Sequence, residues 1–180
     1  MNAIIQLYWQ ICRMRVGPDQ VPTAITLTMF TFLTYLALSV GARLLIAEMP
    51  LDYTAVSIAA IVGLWVILVY GVLAFKGVAS RFQQTFTAAI GTDVILTCFS
   101  LPLVILVGNV PENSPIASLG AILMLVIFIW DVLIKGFIFH HAFNVSPLQG
   151  NLFSFMLNFL ILRMDQALLL HFVPEALEKV

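Results

Sequence analysis

The stretch RFQQTFTAAIGTDVILTCFSLPL, from Arg81 to Leu103, decides how this chain is interpreted. After Arg81 its only charged residue is Asp93, and its apolar character is typical of a membrane-spanning helix, which needs about 20 such residues. A charged side chain at the centre of such a helix costs about 2.5–3.5 kcal/mol on insertion scales. We therefore expect Asp93 to face protein rather than lipid, where it is either paired or used.

The composition of the whole chain has the same character. Of its 180 residues, 62% are hydrophobic and 9% are charged, and the mean hydropathy is +1.07. Soluble domains carry about 25% charged residues, so this chain is predicted to be an integral membrane protein in contact with the lipid bilayer. The net charge of −1 and the lack of a basic cluster argue against a nucleic-acid partner. Cys12 and Cys98 share no CxxC spacing, which argues against a disulfide or a metal site.

Apolar segments separated by turn-forming residues predict the fold. The breaks GPDQVP, EMPLDY and GNVPENSP contain the proline, glycine and asparagine that stop helices. We expect an all-α, polytopic membrane helical bundle that forms a single integral membrane domain over residues 1–180. The predicted spans are residues 23–46, 54–75, 85–107, 116–139 and 148–172. The fifth contains Arg163, Asp165 and Gln166, so the alternative is four spans followed by a helix lying flat on the cytoplasmic surface.

The segment 1–16 has the pattern of an amphipathic helix. Its apolar face is formed by Ile4, Leu7, Tyr8 and Ile11. We expect it to lie in the headgroup region, with Tyr8 and Trp9 as interfacial anchors, and to be dispensable for the bundle. A plain soluble extension is the alternative.

The distribution of basic residues predicts the orientation. If the spans alternate, one side of the membrane receives Arg13, Arg15, Lys76, Arg81 and Lys135. The opposite loops carry Glu48, Asp52 and Glu112, with Arg43 nearby. Since basic residues favour the cytoplasmic side, the N-terminus is predicted to be cytoplasmic. Five spans then place the acidic tail VPEALEKV on the far side.

Ionisable residues at similar depths predict a contact between the third and fourth spans. Ala89 and Thr92 share a helical face with Asp93, and small residues allow helices to approach closely. In the fourth span, Asp131 and Lys135 are four residues apart, in the order that favours a pair within one helix. We expect Asp93 to lie beside Asp131 or Lys135. The cluster either fixes helix packing or relays protons or ions.

A second polar face is predicted in the fifth span, where Asn151, Ser154, Asn158 and Asp165 recur at helical spacing. Arg163 projects away from it and is expected to reach the outer interface or an acid on an outer loop. The complete predicted intramembrane polar network is Asp93, Asp131, Lys135, Asn158, Arg163 and Asp165.

No cofactor, metal or catalytic site is predicted. His140 and His141 end the fourth span near the cytoplasm, whereas His171 ends the fifth on the other side, so a haem with two histidine ligands is not expected. No GxSxG, HExxH or phosphate-loop motif is present. These observations favour a protein that is not an enzyme.

Two stretches resemble segments of small inner-membrane proteins of Gram-negative bacteria, which are similar to the Yip1-like family of five-span proteins. They are RVGPDQVP, from Arg15 to Pro22, and the stretch from Arg81 to Leu103, with its Gln-Thr entry into the third span and the proline that closes it. The resemblance covers roughly half of the chain. It implies a multi-pass topology and a non-enzymatic role, and it assigns no role to Asp93.

Two classes of function fit these observations. The first is a non-catalytic membrane subunit or scaffold that packs against a larger protein complex, other membrane proteins or further copies of itself. Small residues on the second span favour it, namely Gly63, Gly71, Ala74 and Gly77. The alternative is a small proton- or ion-coupled carrier or channel that uses Asp93, Asp131 and Lys135.

Overall fold

The computed structural model describes residues 2–46, 49–111 and 114–172. Within these ranges the regular secondary structure is helical, and no strand occurs. A π-helical turn, Ala42–Ile46, extends the second helix, and short 3-10 turns cover Pro18–Gln20 and Ala79–Arg81. The six α-helices are α1 (Asn2–Cys12), α2 (Ile25–Gly41), α3 (Leu51–Phe75), α4 (Phe82–Gly108), α5 (Pro115–Phe143) and α6 (Pro147–Phe172).

Helices α2 to α6 are each long and apolar enough to cross a membrane. The predicted all-α helical bundle is therefore confirmed, and the architecture is that of a multi-pass membrane protein. Pro102 lies inside α4 and does not close it, since the helix continues to Gly108. Helix α5 runs beyond the predicted end at residue 139, because Asn144 adopts a left-handed conformation with φ of 50° and stops it only there.

Helix α6 runs along the full length of the bundle. Near its start, Gly150 lies against the backbone of Gly136 and His140 in α5, an approach that leaves no room for a Cβ atom. Near its end, Asp165 contacts Arg43 at the end of α2. Because both ends of α6 meet other spanning helices, the alternative of a helix lying flat on the surface is excluded.

Helix α1 packs into the bundle. Cys12 is fully buried, and the ring of Tyr8, which is 7% exposed, lies directly against Gly91 of α4. The Tyr8 hydroxyl hydrogen-bonds Thr31 at 2.9 Å, and the indole nitrogen of Trp130 donates to the Cys12 carbonyl at 2.9 Å. The prediction that Tyr8 anchors α1 in the headgroup region is therefore wrong, because protein surrounds its ring. The expectation of a dispensable helix rested on that position and loses its support.

Aromatic packing joins α3, α4 and α5 on the side of the bundle that carries the basic turn at Arg81. The ring centroid of Trp65 lies 5.4 Å from that of Phe86 and 6.2 Å from that of Phe139. Ile134 and Ile138 of α5 are fully buried within the same core. This packing fixes the spacing of α3, α4 and α5, and the last two of these helices carry the cluster described next.

Several residues used to predict the orientation lie outside the described ranges. They are Glu48, Glu112 and the acidic tail over residues 173–180. The sidedness of the chain thus stays a prediction.

Candidate functional site

Three ionisable side chains meet where α4 crosses α5. The Nζ atom of Lys135 lies 3.0 Å from Oδ1 of Asp93 and 2.9 Å from Oδ1 of Asp131. Asp131 precedes Lys135 by one turn of α5, whereas Asp93 reaches across from α4, about 16 Å along that helix from its start at Phe82. The structure thus brings together three members of the predicted network, and Asp93 faces α5 as expected.

Small residues on α4 make this close approach possible. Ala88, Ala89 and Thr92 are buried with at most 1% of their surface exposed. Because their side chains are short, the backbone of α5 comes near enough for Lys135 to reach Asp93. Gly91 lies on nearly the opposite side of α4 from Asp93, about 160° around the helix, and there the Tyr8 ring packs against it. The small residues near Asp93 in the sequence thus allow both α5 and α1 to approach α4 closely.

The cluster carries unequal charge. Two carboxylates face one ammonium group, so the fully ionised cluster has a net charge of −1. In a medium of low polarity an unbalanced charge is costly, and binding of one proton or one monovalent cation removes it.

The cluster lies on the wall of a cleft of about 340 Å³. The side chain of Lys135 is 10% exposed, whereas that of Asp93 is 23% exposed. The carboxylate rather than the ammonium is therefore the more accessible charge in the cleft. The remaining lining is mostly apolar and aromatic, with scattered hydroxyl and amide groups; its polar and aromatic members are Tyr35, Ser39, Trp65, Phe86, Thr97, Ser100, Phe128 and Asn158.

Polar residues along α2 form a face that extends beyond the cleft in both directions. Its members are Thr28, Thr31, Tyr35, Ser39 and Arg43, which recur every three or four residues. The hydroxyl of Thr28 hydrogen-bonds that of Thr87 in α4 at 2.8 Å, and Tyr35 and Ser39 line the cleft. From first to last this face extends about 22 Å along α2, which is most of the roughly 30 Å hydrocarbon thickness of a bilayer.

A second ion pair, between Arg43 and Asp165, lies at the end of this polar face, where α2 ends. Both carboxylate oxygens of Asp165 accept from Nη2 of Arg43 at 3.3 Å. Asp165 also accepts from the hydroxyl of Tyr53 at 3.0 Å and from the hydroxyl of Ser57. Arg43 in turn donates to the Tyr53 hydroxyl at 3.2 Å. Three helices, α2, α3 and α6, are joined by this one carboxylate.

The predicted polar network therefore divides into two clusters. Asp165 belongs to the second cluster, and Asn158 lines the cleft of the first. Arg163 belongs to neither, because its side chain is exposed, donates to Gln166 and lies over the ring of Phe159. Its inclusion in the network was wrong; its predicted projection away from the polar face of α6 is confirmed. Its reach to the outer interface stays a prediction.

The sequence reasoning missed the polar face of α2. Arg43 was interpreted as a charge near an outer loop, and the hydroxyl residues before it as part of an apolar span. The spacing of Tyr35, Ser39 and Arg43, four residues apart each time, is the signal that could have revealed this face. Its recognition would have placed Arg43 on a polar helical face rather than near a loop.

In the described part of the chain, no group of three or more His, Cys, Asp or Glu side chains could hold a metal ion. Comparisons with known proteins add no identity, since no family model, no curated protein and no solved structure matches the chain. The resemblance to Yip1-like proteins accordingly stays a prediction.

Proposed function

We propose that the chain is a small membrane carrier in which proton or cation binding at Asp93, Asp131 and Lys135 is coupled to movement of a solute. The observation that carries the proposal is that this unbalanced cluster lines a cleft between spanning helices. Ionisable groups inside a membrane are costly and commonly mark ion or substrate pathways. The role consists of binding and release, without a covalent step.

The accessibility of Asp93 supports exchange at the cluster. Its side chain is 23% exposed while Lys135 holds it at 3.0 Å. A proton or a cation can reach this carboxylate through the cleft, neutralise the excess charge and leave again. A cluster that only fixed helix packing would be expected to have balanced charges and to have no cleft beside it.

The polar face of α2 supports a route that leads to and from the cluster. On one side of the cleft it offers the hydrogen-bonded hydroxyls of Thr28 and Thr87, and on the other side the pair of Arg43 and Asp165. Chains of such groups, with water between them, are typical of proton pathways in pumps and transporters. The route is blocked at the Arg43 end by a formed ion pair, so passage there requires that pair to open.

The test is charge movement in reconstituted liposomes. Rapid pH steps applied to proteoliposomes on a solid-supported membrane are expected to produce a transient current as protons bind the cluster. Asp93→Asn is expected to abolish the current, whereas Phe155→Leu, an exposed position of α6 away from the cleft, is expected to retain it. A wild-type signal equal to that of protein-free liposomes would refute the proposal, and so would an unchanged current in Asp93→Asn.

A non-catalytic subunit of a larger membrane complex, or of a homo-oligomer, is the second candidate. A specific observation favours it: a Cβ atom built at Gly63 or Gly71 of α3 meets nothing within 4 Å. The small-residue face of α3 is thus open for another helix to approach. Purification from native membranes in mild detergent, followed by mass spectrometry, would detect a partner, and Gly63→Leu is expected to release it. A monodisperse monomer that retains pH-driven currents would instead favour the carrier.

The proposed location is the inner membrane of a Gram-negative bacterium, with the N-terminus in the cytoplasm. The bias of lysine and arginine toward one set of loops supports this orientation. The resemblance to Yip1-like proteins supports the bacterial inner membrane.

A further inference from the structure

We infer that the cleft binds a small organic cation, an ammonium compound with apolar substituents, and that this ligand competes with a proton for the carboxylates of Asp93 and Asp131. The inference rests on the proposed carrier function and names its substrate class. It is drawn from the charge, the lining and the size of the cleft.

The charge of the cleft selects a cation. Lys135 balances only one of the two carboxylates that it contacts, at 3.0 Å and 2.9 Å. An anion would meet the uncompensated carboxylate, and a neutral ligand would leave it unbalanced in a medium of low polarity. A monovalent cation restores neutrality without displacing Lys135 from either partner.

The lining selects an organic cation with apolar substituents. Four aromatic residues contribute to the wall, namely Tyr35, Trp65, Phe86 and Phe128. The negative faces of aromatic rings attract ammonium groups, and such rings commonly form the recognition sites for quaternary ammonium ligands. A volume of about 340 Å³ is at the lower end of the range for small-molecule sites. The ligand is therefore small.

The same lining disfavours an alkali or alkaline-earth ion. A hard cation such as Ca²⁺ requires about six to eight oxygen ligands around one point. Lys135 already engages Oδ1 of Asp93 and Oδ1 of Asp131. The other oxygens of the lining are spread over α2, α4 and α6, on Tyr35, Ser39, Thr97, Ser100 and Asn158. In the described ranges no compact cage of acidic side chains occurs. An organic cation needs no such cage, because its charge is spread and its surface is apolar.

Competition with protons follows from the shared site. A proton on Asp93 or Asp131 neutralises the same excess charge that the organic cation neutralises, so occupancy by one disfavours the other. The groups that face Asp93 in the described part of the chain are Asp131 and Lys135 of α5, Tyr35 of α2 and Cys12 of α1, together with the non-ionising Trp65 of α3 and Asn158 of α6. None of them supplies a second cation to compensate both carboxylates.

The experiment measures binding of radiolabelled tetraethylammonium to the purified chain in lipid nanodiscs, as a function of pH. Where the carboxylates take up a proton, the apparent Kd is expected to rise up to about tenfold per pH unit of acidification, as competition with one proton requires. Asp93→Asn is expected to abolish this pH dependence and most of the binding. Asp93→Glu retains the carboxylate and is expected to retain both.

The aromatic contribution is tested with a matched pair of variants. Phe128→Leu removes a ring from the cleft and is expected to weaken tetraethylammonium binding by about 2- to 30-fold. Phe155→Leu makes the same change at an exposed position outside the cleft and is expected to leave binding unchanged. Equal effects of the two variants would overturn the assignment of the ligand to this cleft.

The outcomes separate this inference from the proposed function. Currents after pH steps without any tetraethylammonium binding would refute the organic-cation inference and leave the carrier proposal standing. Displacement of tetraethylammonium by equimolar Na⁺ would show a site for hard cations and would refute the inference too. Absence of both binding and currents, in protein that elutes as a folded species, would refute both proposals.

Discussion

Asp93 of α4 and Lys135 of α5 lie 3.0 Å apart, and Lys135 also holds Asp131 of its own helix at 2.9 Å. One ammonium group therefore connects two carboxylates from two helices. Either carboxylate alone can balance the charge of Lys135. Loss of one acid should therefore reduce the stability of the bundle less than loss of the lysine does. This asymmetry leads to the first prediction.

Loss of Lys135 is expected to destabilise the bundle more than loss of Asp93. Lys135→Met leaves two facing carboxylates without a cation and should cost about 3–5 kcal/mol, as for other broken buried ion pairs. Asp93→Asn leaves a neutral pair of Lys135 and Asp131 and should change stability by about 1 kcal/mol or less. Thermal or denaturant-induced unfolding in detergent measures both. If Asp93→Asn were the more damaging change, the assigned charge balance would be incorrect.

Asp93→Leu separates polarity from charge at the same position. Leucine removes the hydrogen-bonding group that asparagine retains, so Asp93→Leu is expected to destabilise the bundle by more than Asp93→Asn does. If Asp93 also carries the proton, Asp93→Asn should lose the current produced by pH steps while unfolding close to the wild-type temperature. A parallel fall of current and stability in Asp93→Asn would instead indicate a structural role.

The pair of Arg43 and Asp165 is expected to behave as a coupled unit. Asp165→Asn weakens charged hydrogen bonds to Arg43, Tyr53 and Ser57 and should cost about 1.5–3 kcal/mol. Arg43→Gln should cost a similar amount, because Asp165 then loses its cation. The double variant should be more stable than the sum of the two single effects predicts, as a double-mutant cycle would show. Strict additivity would mean that the two charges do not interact.

Glycine substitutions are expected to distinguish glycines in close helix contacts from glycines on open helix faces. Gly136→Ala places a Cβ atom against the backbone and side chain of Asn151 in α6, so it should push α5 and α6 apart and destabilise the bundle. Gly63→Ala is the control, because a Cβ atom there meets nothing within 4 Å. That change should be neutral or should stabilise α3 by up to about 1 kcal/mol through helix propensity. Similar unfolding curves for the two variants would contradict the close contact.

Cys12 is expected to resist alkylation in the folded protein. Burial, reinforced by the negative charges of Asp93 and Asp131, raises the pKa of the Cys12 thiol to about 12. Since the thiolate is the reactive form, a raised pKa lowers the reactive fraction between pH 7 and pH 9. In a Cys98→Ser background, N-ethylmaleimide should modify Cys12 only after denaturation. Gln10→Cys, at an exposed position on the same helix, is the control and should react readily. Rapid labelling of Cys12 would show that α1 is not docked.

The sequence predicted those parts of the structure that depend on local pattern. Long apolar runs bounded by prolines and glycines defined the spans, and matched depth with small neighbours placed Asp93 beside Lys135. The sequence did not predict contacts between residues that are distant in the chain. Nothing near Tyr8 indicates that Gly91 provides a flat surface for its ring, so its burial could not be inferred from α1 alone. The partner of Asp165 was likewise hidden, since a lone Arg43 near a loop has no local feature that marks its acid.

The bond between Arg43 and Asp165 joins α2 to α6 across 122 residues of sequence, and this has a consequence for biosynthesis. While the chain is being inserted, Arg43 enters the bilayer long before Asp165 is translated, so its charge must be tolerated by lipid headgroups, water or the insertion machinery. A product truncated before α6 would keep Arg43 without its acid and would present an unpaired charge to the membrane. Such a product is expected to be less stable in the bilayer than the chain that contains α6, because an unpaired charge within a span is costly.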